Sequence, residues 1–206
     1  IVTMLLIFIT AGIFVGVVGR SSAESVAYFM LSIIPAKFAV AVLFIVACFV
    51  STAMGTSVGT ITLITPIAVA VSEASGFSMA LCVASVMGGA MFGDNLSMIS
   101  DTTIAATRTQ GCAMKDKFKE NFFIVLPAAI ITIALFLFLA WNANYRISEN
   151  LNYDLLKILP YLVVLVGALS GLNVFLILIA GTILSIIIGV FTNSIAASNI
   201  FSVIAS

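Results

Sequence analysis

Apolar residues fall in long blocks broken by short polar stretches, and nowhere do they alternate with the period of two that barrel strands require. The blocks therefore predict helices, the other structure that satisfies its own backbone inside a bilayer. A first helix is expected from about Ile1 to Val18 and a second from about Ile34 to Val50, each near the roughly 20 residues that cross a hydrocarbon core. The intervening "GRSSAESVAYFMLS", with Arg20 and Glu24, is expected to lie along the interface. Next comes "STAMGTSVGTITLITPIAVAVSEASGF", apolar enough for membrane depth but interrupted by Gly55, Gly59, Pro66 and several hydroxyls, which predicts a broken helix.

A short helix from about Met79 to Phe92 leads into "GDNLSMISDTT", Gly93 to Thr103. The polar stretch "TRTQGCAMKDKFKENF" carries Arg108, Lys115, Lys117 and Lys119, and this cluster of cations marks the loop over residues 106–121 as cytoplasmic. Phe122 to Trp141 would then run outward to an external loop, "NANYRISENLNYD", with Trp141, Tyr145 and Tyr153 as interfacial anchors. Two further runs, about Leu155 to Leu169 and about Leu172 to Phe191, are joined by a turn over Ser170 to Asn173. The pattern as a whole predicts an all-α polytopic membrane protein of about six transmembrane helices plus broken or re-entrant elements.

Composition sharpens this. Of 206 residues 63% are hydrophobic and 8% charged, with a mean hydropathy of +1.31, whereas a soluble domain carries about 25% charged residues. The formal net charge is zero, so no nucleic-acid partner is expected, and lipid is the expected surroundings. There is no histidine, and Cys48, Cys82 and Cys112 show no paired spacing, which argues against transition-metal sites and disulfides. Both ends fall inside apolar stretches and no basic leader precedes the first, so an internal piece of a longer chain is expected.

Candidate chemistry concentrates in two places. An ionised group at the bilayer centre costs roughly 2.5 to 3.5 kcal/mol, so Asp94 and Asp101 require compensation or a function. On a continuous helix Asp94, Ser97 and Asp101 would share one face; on an unwound segment they and free carbonyls would converge from several sides. Either arrangement offers the oxygen donors that a small hard cation prefers. A plainer reading makes Ser100, Asp101, Thr102 and Thr103 a helix cap, with Thr102 and Thr103 the first candidates for it and Asp94 the last.

The second place is Ser51 to Thr62. Gly55 and Gly59 are read either as a helix-packing GxxxG pair or as a hinge whose carbonyls and hydroxyls line an ion path. Lys37 and Glu73 are expected at span ends, within reach of water, and Asn173 in a turn.

"FGDNLSMISDTT" resembles the signature of the NhaC family of bacterial sodium/proton antiporters, G-D-K/N-x-S-x-x-S-D-T-T, and "GTSVGTITLITPIAVAVSEASG" is similar to that family's earlier Gly/Ser/Thr-rich stretch. Asp94, Ser97, Ser100, Asp101, Thr102 and Thr103 match position by position; Asn95 stands where members commonly carry Lys, and Met98-Ile99 where they carry Pro-Leu.

The resemblance implies a secondary transporter of inverted repeats, with about residues 1–141 the first repeat and about 155–206 the start of the second. It implies sodium and proton as cargo, bound at Asp94 and Asp101 with help from Asn95, Ser97, Ser100, Thr102 and Thr103. Ser51, Thr52, Gly55, Thr56, Ser57, Gly59 and Thr60 form the supporting broken helix in this reading. No cofactor and no metal other than sodium is expected, the location is the bacterial plasma membrane, and a homo-oligomer is compatible with it. Relatives in the family also exchange organic acids such as malate and lactate, which makes an anion exchanger the alternative, with the helix ends near Ser57 and Thr102 as its site. An intramembrane aspartyl protease is more remote: Tyr153-Asp154 and Gly93-Asp94 echo its motifs, but in the wrong order and with Met91 in place of a glycine.

Overall fold

A computed structural model of the chain describes residues 2–98, 100–143, 152–170 and 172–192, without the side chains of residues 2–5, 7, 8, 20, 101, 114 and 174. Tyr145, Ile99, Gly171 and the apolar C-terminal end lie outside the described residues. Eight helices follow in order: α1 Val2–Ile33, α2 Ala36–Met54, α3 Ser57–Ser75, α4 Met79–Leu96, α5 Asp101–Gln110, α6 Met114–Asn142, α7 Leu155–Leu169 and α8 Val174–Phe191. By length and composition α2, α3, α4 and Lys115–Asn142 of α6 are able to cross a membrane, and Ile9–Gly19, α7 and Phe175–Phe191 are shorter apolar helices. The chain is thus an all-helical, multi-pass membrane protein.

Glycines set most of the boundaries. Gly55, Gly76 and Gly111 end α2, α3 and α5 in the left-handed conformation, with φ of 69°, 73° and 65°. Gly19, at φ 69° and ψ 170°, kinks α1 where the pattern ends its first span. The stretch expected along the interface is helical and forms the second limb of α1, because Ser, Ala, Val and Tyr after the kink carry no further breaker before Pro35.

Two other expectations change. The short helix opening at Met79 runs on through Asp94 and Asn95 to Leu96, and the cationic loop is a helical hairpin, α5 and α6 joined at Gly111 to Ala113. α6 starts early because Asp116 lies in its first turn, where a carboxylate favours the positive end of the helix dipole. Lys37 sits where a span end was expected, its ammonium 4.2 Å from the centroid of the Trp141 ring.

The bundle centres on α2 against α4, with α3 beside both and α1 on α3. α6 covers α2 and α4, Phe44 meeting Phe136 at a ring separation of 5.7 Å. α7 and α8 pair with each other and with α1, where Phe14 meets Tyr161 edge-on at 5.4 Å.

The α2–α4 seam is very close. A Cβ added at Gly89 would overlap the Phe44 carbonyl oxygen and stand 2.9 Å from Ala47 Cβ. At Gly93 it would overlap the Cys48 carbonyl oxygen and stand 2.7 Å from Ser51 Cβ. Gly89 and Gly93 are therefore the small-xxx-small pair that brings two membrane helices together.

Gly89→Ala is expected to lower the melting temperature of the full-length protein in detergent, because overpacking of this kind costs about 1 to 3 kcal/mol. Gly88→Ala, whose new methyl would meet only the Phe44 ring at 3.5 Å, should be neutral or stabilising, since alanine is the better helix former. Equal melting of both variants would show that the seam is not tight.

Candidate ion-binding site

Gly89 lies against Phe44 and Ala47, and Gly93 against Cys48, Ser51 and Thr52, so α2 and α4 run parallel along the seam. α2 ends at Gly55 and α4 at Ser97, each only a few residues past the last of these contacts. The two helices therefore break at the same level. The C-termini of α2 and α4 present unpaired carbonyls and the negative ends of their dipoles there, while α3 and α5 begin close by with their amide ends.

The Ser51 hydroxyl, fully buried, donates to the Ala90 carbonyl at 2.6 Å and ties the two helices just before the break. Thr52 donates to Cys48 O at 2.7 Å. Thr56 caps α3 by accepting from the Gly59 amide at 3.3 Å, Ser57 opens that helix, and the buried Thr60 hydroxyl donates to Thr56 O at 2.9 Å. Gly55 and Gly59 thus belong to a break and its cap, while the close helix approach is made by Gly89 and Gly93. A second GxxxG in the chain, Gly89 to Gly93, was the signal for that.

At the other break, Asp94 lies in the last turn of α4, and its Oδ1 is buried with no hydrogen-bond partner among the described residues. A buried, unsatisfied carboxylate oxygen is costly unless something binds it. Asn95 points outward and donates from Nδ2 to Met91 O at 2.9 Å. Ser97 and Ser100 are each 1% exposed and flank the unwound link, with Ser100 Oγ 2.8 Å from Thr102 Oγ1. Asp101 opens α5, on a different helix from Asp94, so the single-face arrangement does not occur; its side chain lies outside the described residues. Thr102 is exposed, Thr103 is buried, and neither caps α5, whose N-cap position is Ser100.

Lys117, expected only as part of a cytoplasmic cluster, reaches this break. Its Nζ donates to the Asn95 carbonyl at 2.6 Å and to Thr103 Oγ1 at 2.8 Å, and its charge interacts with the Asp94 carboxylate. Asn121, one turn further along α6, donates to the same carbonyl at 3.2 Å. The i, i+4 spacing of Lys117 and Asn121 was the available signal, but nothing local tells which residue in a basic cluster turns inward. The ammonium on the α4 C-terminus shows what kind of charge the break holds.

An all-helical, multi-pass protein with two helices broken at one level, and a carboxylate oxygen buried there without a hydrogen-bond partner, has the construction of a secondary transporter. The model of the Na+/H+ antiporter family matches residues 1–141, and the chain belongs to that family. It is 30% identical over 133 residues to the malate-2H(+)/Na(+)-lactate antiporter of Bacillus subtilis (strain 168), a match covering 64% of this chain and 28% of that protein. It is 28% identical over 176 residues to the Na(+)/H(+) antiporter NhaC of Alkalihalophilus pseudofirmus, covering 80% of this chain and 38% of the relative. A Haemophilus influenzae Na(+)/H(+) antiporter is 24% identical over 214 residues, covering 96% and 46%. The chain thus spans less than half the length of these relatives, and no solved structure matches it.

Lys117→Met is expected to loosen α5, since hydrogen bonds from a charged donor contribute about 1.5 to 3 kcal/mol each. Amide hydrogen exchange across Asp101–Gln110 in the full-length protein should rise on the order of tenfold or more while α2 and α4 stay protected. Unchanged α5 exchange would show that the lysine does not hold the hairpin.

Proposed function

We propose that this chain carries one half of the ion site of a bacterial plasma-membrane sodium/proton antiporter, with Asp94 as the group that takes either ion. The observation that carries this reading is the buried Oδ1 of Asp94, left without a partner at the level where α2 and α4 both end. A proton satisfies that oxygen by making the carboxyl neutral; a dehydrated sodium ion satisfies it by coordination. The two occupants exclude each other, because a bound cation opposes protonation of the same carboxylate. Competition at one group, exposed alternately to the two sides, is sufficient for obligatory exchange.

Neutral oxygens complete the sodium shell in this reading. The hydroxyls of Ser51, Thr52 and Thr60 give their protons to carbonyls but keep oxygen lone pairs, as do Thr56, Ser57, Ser97, Ser100, Thr102 and Thr103. The carbonyls that end α2 and α4 add donors of the same hard character. Asp101, opening the next helix, is a second carboxylate for the same ion.

Lys117 supplies the positive charge that family members commonly carry at the position of Asn95. It offsets Asp94 when neither ion is bound, and its replacement should change sodium affinity without abolishing exchange. Residues 1–141 form the first repeat in this scheme and 155–206 the start of the second, whose broken helix brings the other half-site; the α5–α6 hairpin faces the cytoplasm. No cofactor enters the cycle. The Bacillus subtilis malate/lactate relative keeps a second reading open, exchange of an organic acid, which counterflow of labelled malate would reveal.

Asp94→Asn in the full-length protein, reconstituted in vesicles, tests the proposal. Loss of a buried charged partner is worth about 3 to 5 kcal/mol, so sodium-driven proton release should fall by more than about a hundredfold. Exchange at the parent rate in this variant would sink it.

A further inference from the structure

Three helices, α2, α3 and α6, pack on α4, and one face of it is still open. Ala80, Ala84, Met87, Met91 and Asn95 are all exposed, Met87 by 45% and Met91 by 57%. Their spacing of three or four residues puts them on one stripe. At about 1.5 Å per residue the stripe is about 22 Å long, most of a hydrocarbon core about 30 Å thick.

Its composition is not that of a surface made for lipid. The outward face of α6 shows what such a surface looks like in this chain: Ile124, Ile131, Leu135 and Phe138 are exposed, and no polar residue is exposed between Phe123 and Leu139. The α4 stripe instead runs from two alanines through two thioethers to a primary amide. Small residues let another helix approach closely, and hydrocarbon would leave the amide of Asn95 unmatched. Unbranched methionines adapt their shape to a neighbour at low cost, which suits a contact kept while the exposure of the ion site changes.

The stripe also leads to the site. With about 100° of turn per residue, Asp94 stands about 20° around α4 from Met87 and about 140° from Gly89, the residue that meets α2. α2 therefore approaches Asp94 from across the helix, while whatever covers the stripe stands beside it. A second copy in the same membrane fits this place poorly. Two-fold symmetry about the membrane normal would set α4 parallel to its own image and Asp94 beside Asp94, which like charge opposes. The relatives are more than twice as long as the part this chain matches, so a further part of the same polypeptide is the better occupant.

We propose that the stripe from Ala80 to Asn95 is the face of α4 on which the second repeat of the full-length protein docks. One of its helices lies along Met87 and Met91 and reaches the ion site at Asn95. The inference rests on the reading of Asp94 as half of that site.

The test replaces Met91 of the full-length protein with the photo-crosslinker p-benzoylphenylalanine, in vesicles, and identifies the adducts by mass spectrometry. The expected product is an adduct within one chain, to a peptide that follows Ser206. If this variant does not fold, as judged by melting, the crosslinker moves to Ala84 and the same outcomes apply. A nitroxide on Met87→Cys, with Cys48, Cys82 and Cys112 replaced, gives a second reading. It should be at least threefold less accessible to dissolved oxygen than the same label on Leu135→Cys, and closed to a water-soluble nickel complex. Lipid adducts, or oxygen access equal to that at Leu135→Cys, overturn the proposal in favour of a lipid-facing stripe. Nickel access overturns it in favour of a water path, a crosslinked dimer in favour of a second copy, and an adduct confined to residues 1–206 in favour of this part of the chain. Neither readout requires transport. An intrachain adduct beyond Ser206 together with parent exchange in Asp94→Asn would remove the antiporter reading alone, whereas lipid or dimer adducts with Asp94→Asn inactive would remove the docking face alone.

Discussion

The close parallel contact of α2 and α4 is the constraint on which the rest depends. Gly89 and Gly93 let the two backbones approach until there is no room for a Cβ at either position, and Ser51 pins them with a hydrogen bond to Ala90. In lipid there is no hydrophobic gain from bringing two apolar helices together, so packing and a few hydrogen bonds must do it. Because the helices are parallel and in fixed register, ending one at Gly55 and the other at Ser97 puts both ends at one height. Slide either helix by a turn and the carbonyl ends separate by about 5.4 Å, more than twice a sodium–oxygen bond.

Polar groups elsewhere in the bundle are handled conservatively, which is why the exceptions carry information. Most hydroxyls donate to a carbonyl one turn back in their own helix, as Thr10, Thr62, Thr107 and Thr182 do. Such bonds need no partner helix and cost nothing when neighbours move. Among the described residues the buried atoms without a partner are Thr65 Oγ1, Asp94 Oδ1, Tyr161 OH and Ser185 Oγ. Three of these border places where a helix is broken or kinked: Asp94 Oδ1 at the end of α4, and the Thr65 and Ser185 hydroxyls in cavities that Gly19, the kink of α1, also lines.

Much of this was readable from residue order, for physical reasons that also explain the rest. Helix ends at Gly19, Gly55 and Gly76 were legible because only glycine accepts φ near 70° at no steric cost, so punctuation and conformation coincide, whereas Gly111 was read as part of a loop. The end of α4 was not, because Asp94 and Asn95 look like loop residues, yet both fit a last helical turn, where Asn95 bonds back to Met91. The role of Gly89 and Gly93 was hidden by Gly55 and Gly59, which have the same spacing and richer polar surroundings. Spacing alone does not tell a packing pair from a break. Lys117 was out of reach, since its partners lie 14 and 22 residues away in sequence.

Lys117 also bears on the two aspartates, which differ in their surroundings. Asp94 belongs to the end of a helix locked in the seam, whereas Asp101 starts a ten-residue helix whose ties to the bundle run through α6. The lysine bonds both the Asn95 carbonyl at the end of α4 and Thr103 in the first turn of α5, so it couples a fixed element to a less supported one. In the proposed exchange, a cation arriving at Asp94 would repel the ammonium that holds α5 in place. Ion occupancy and the position of α5 would then be linked through one side chain, and a link of that kind is what alternating exposure of a single carboxylate requires.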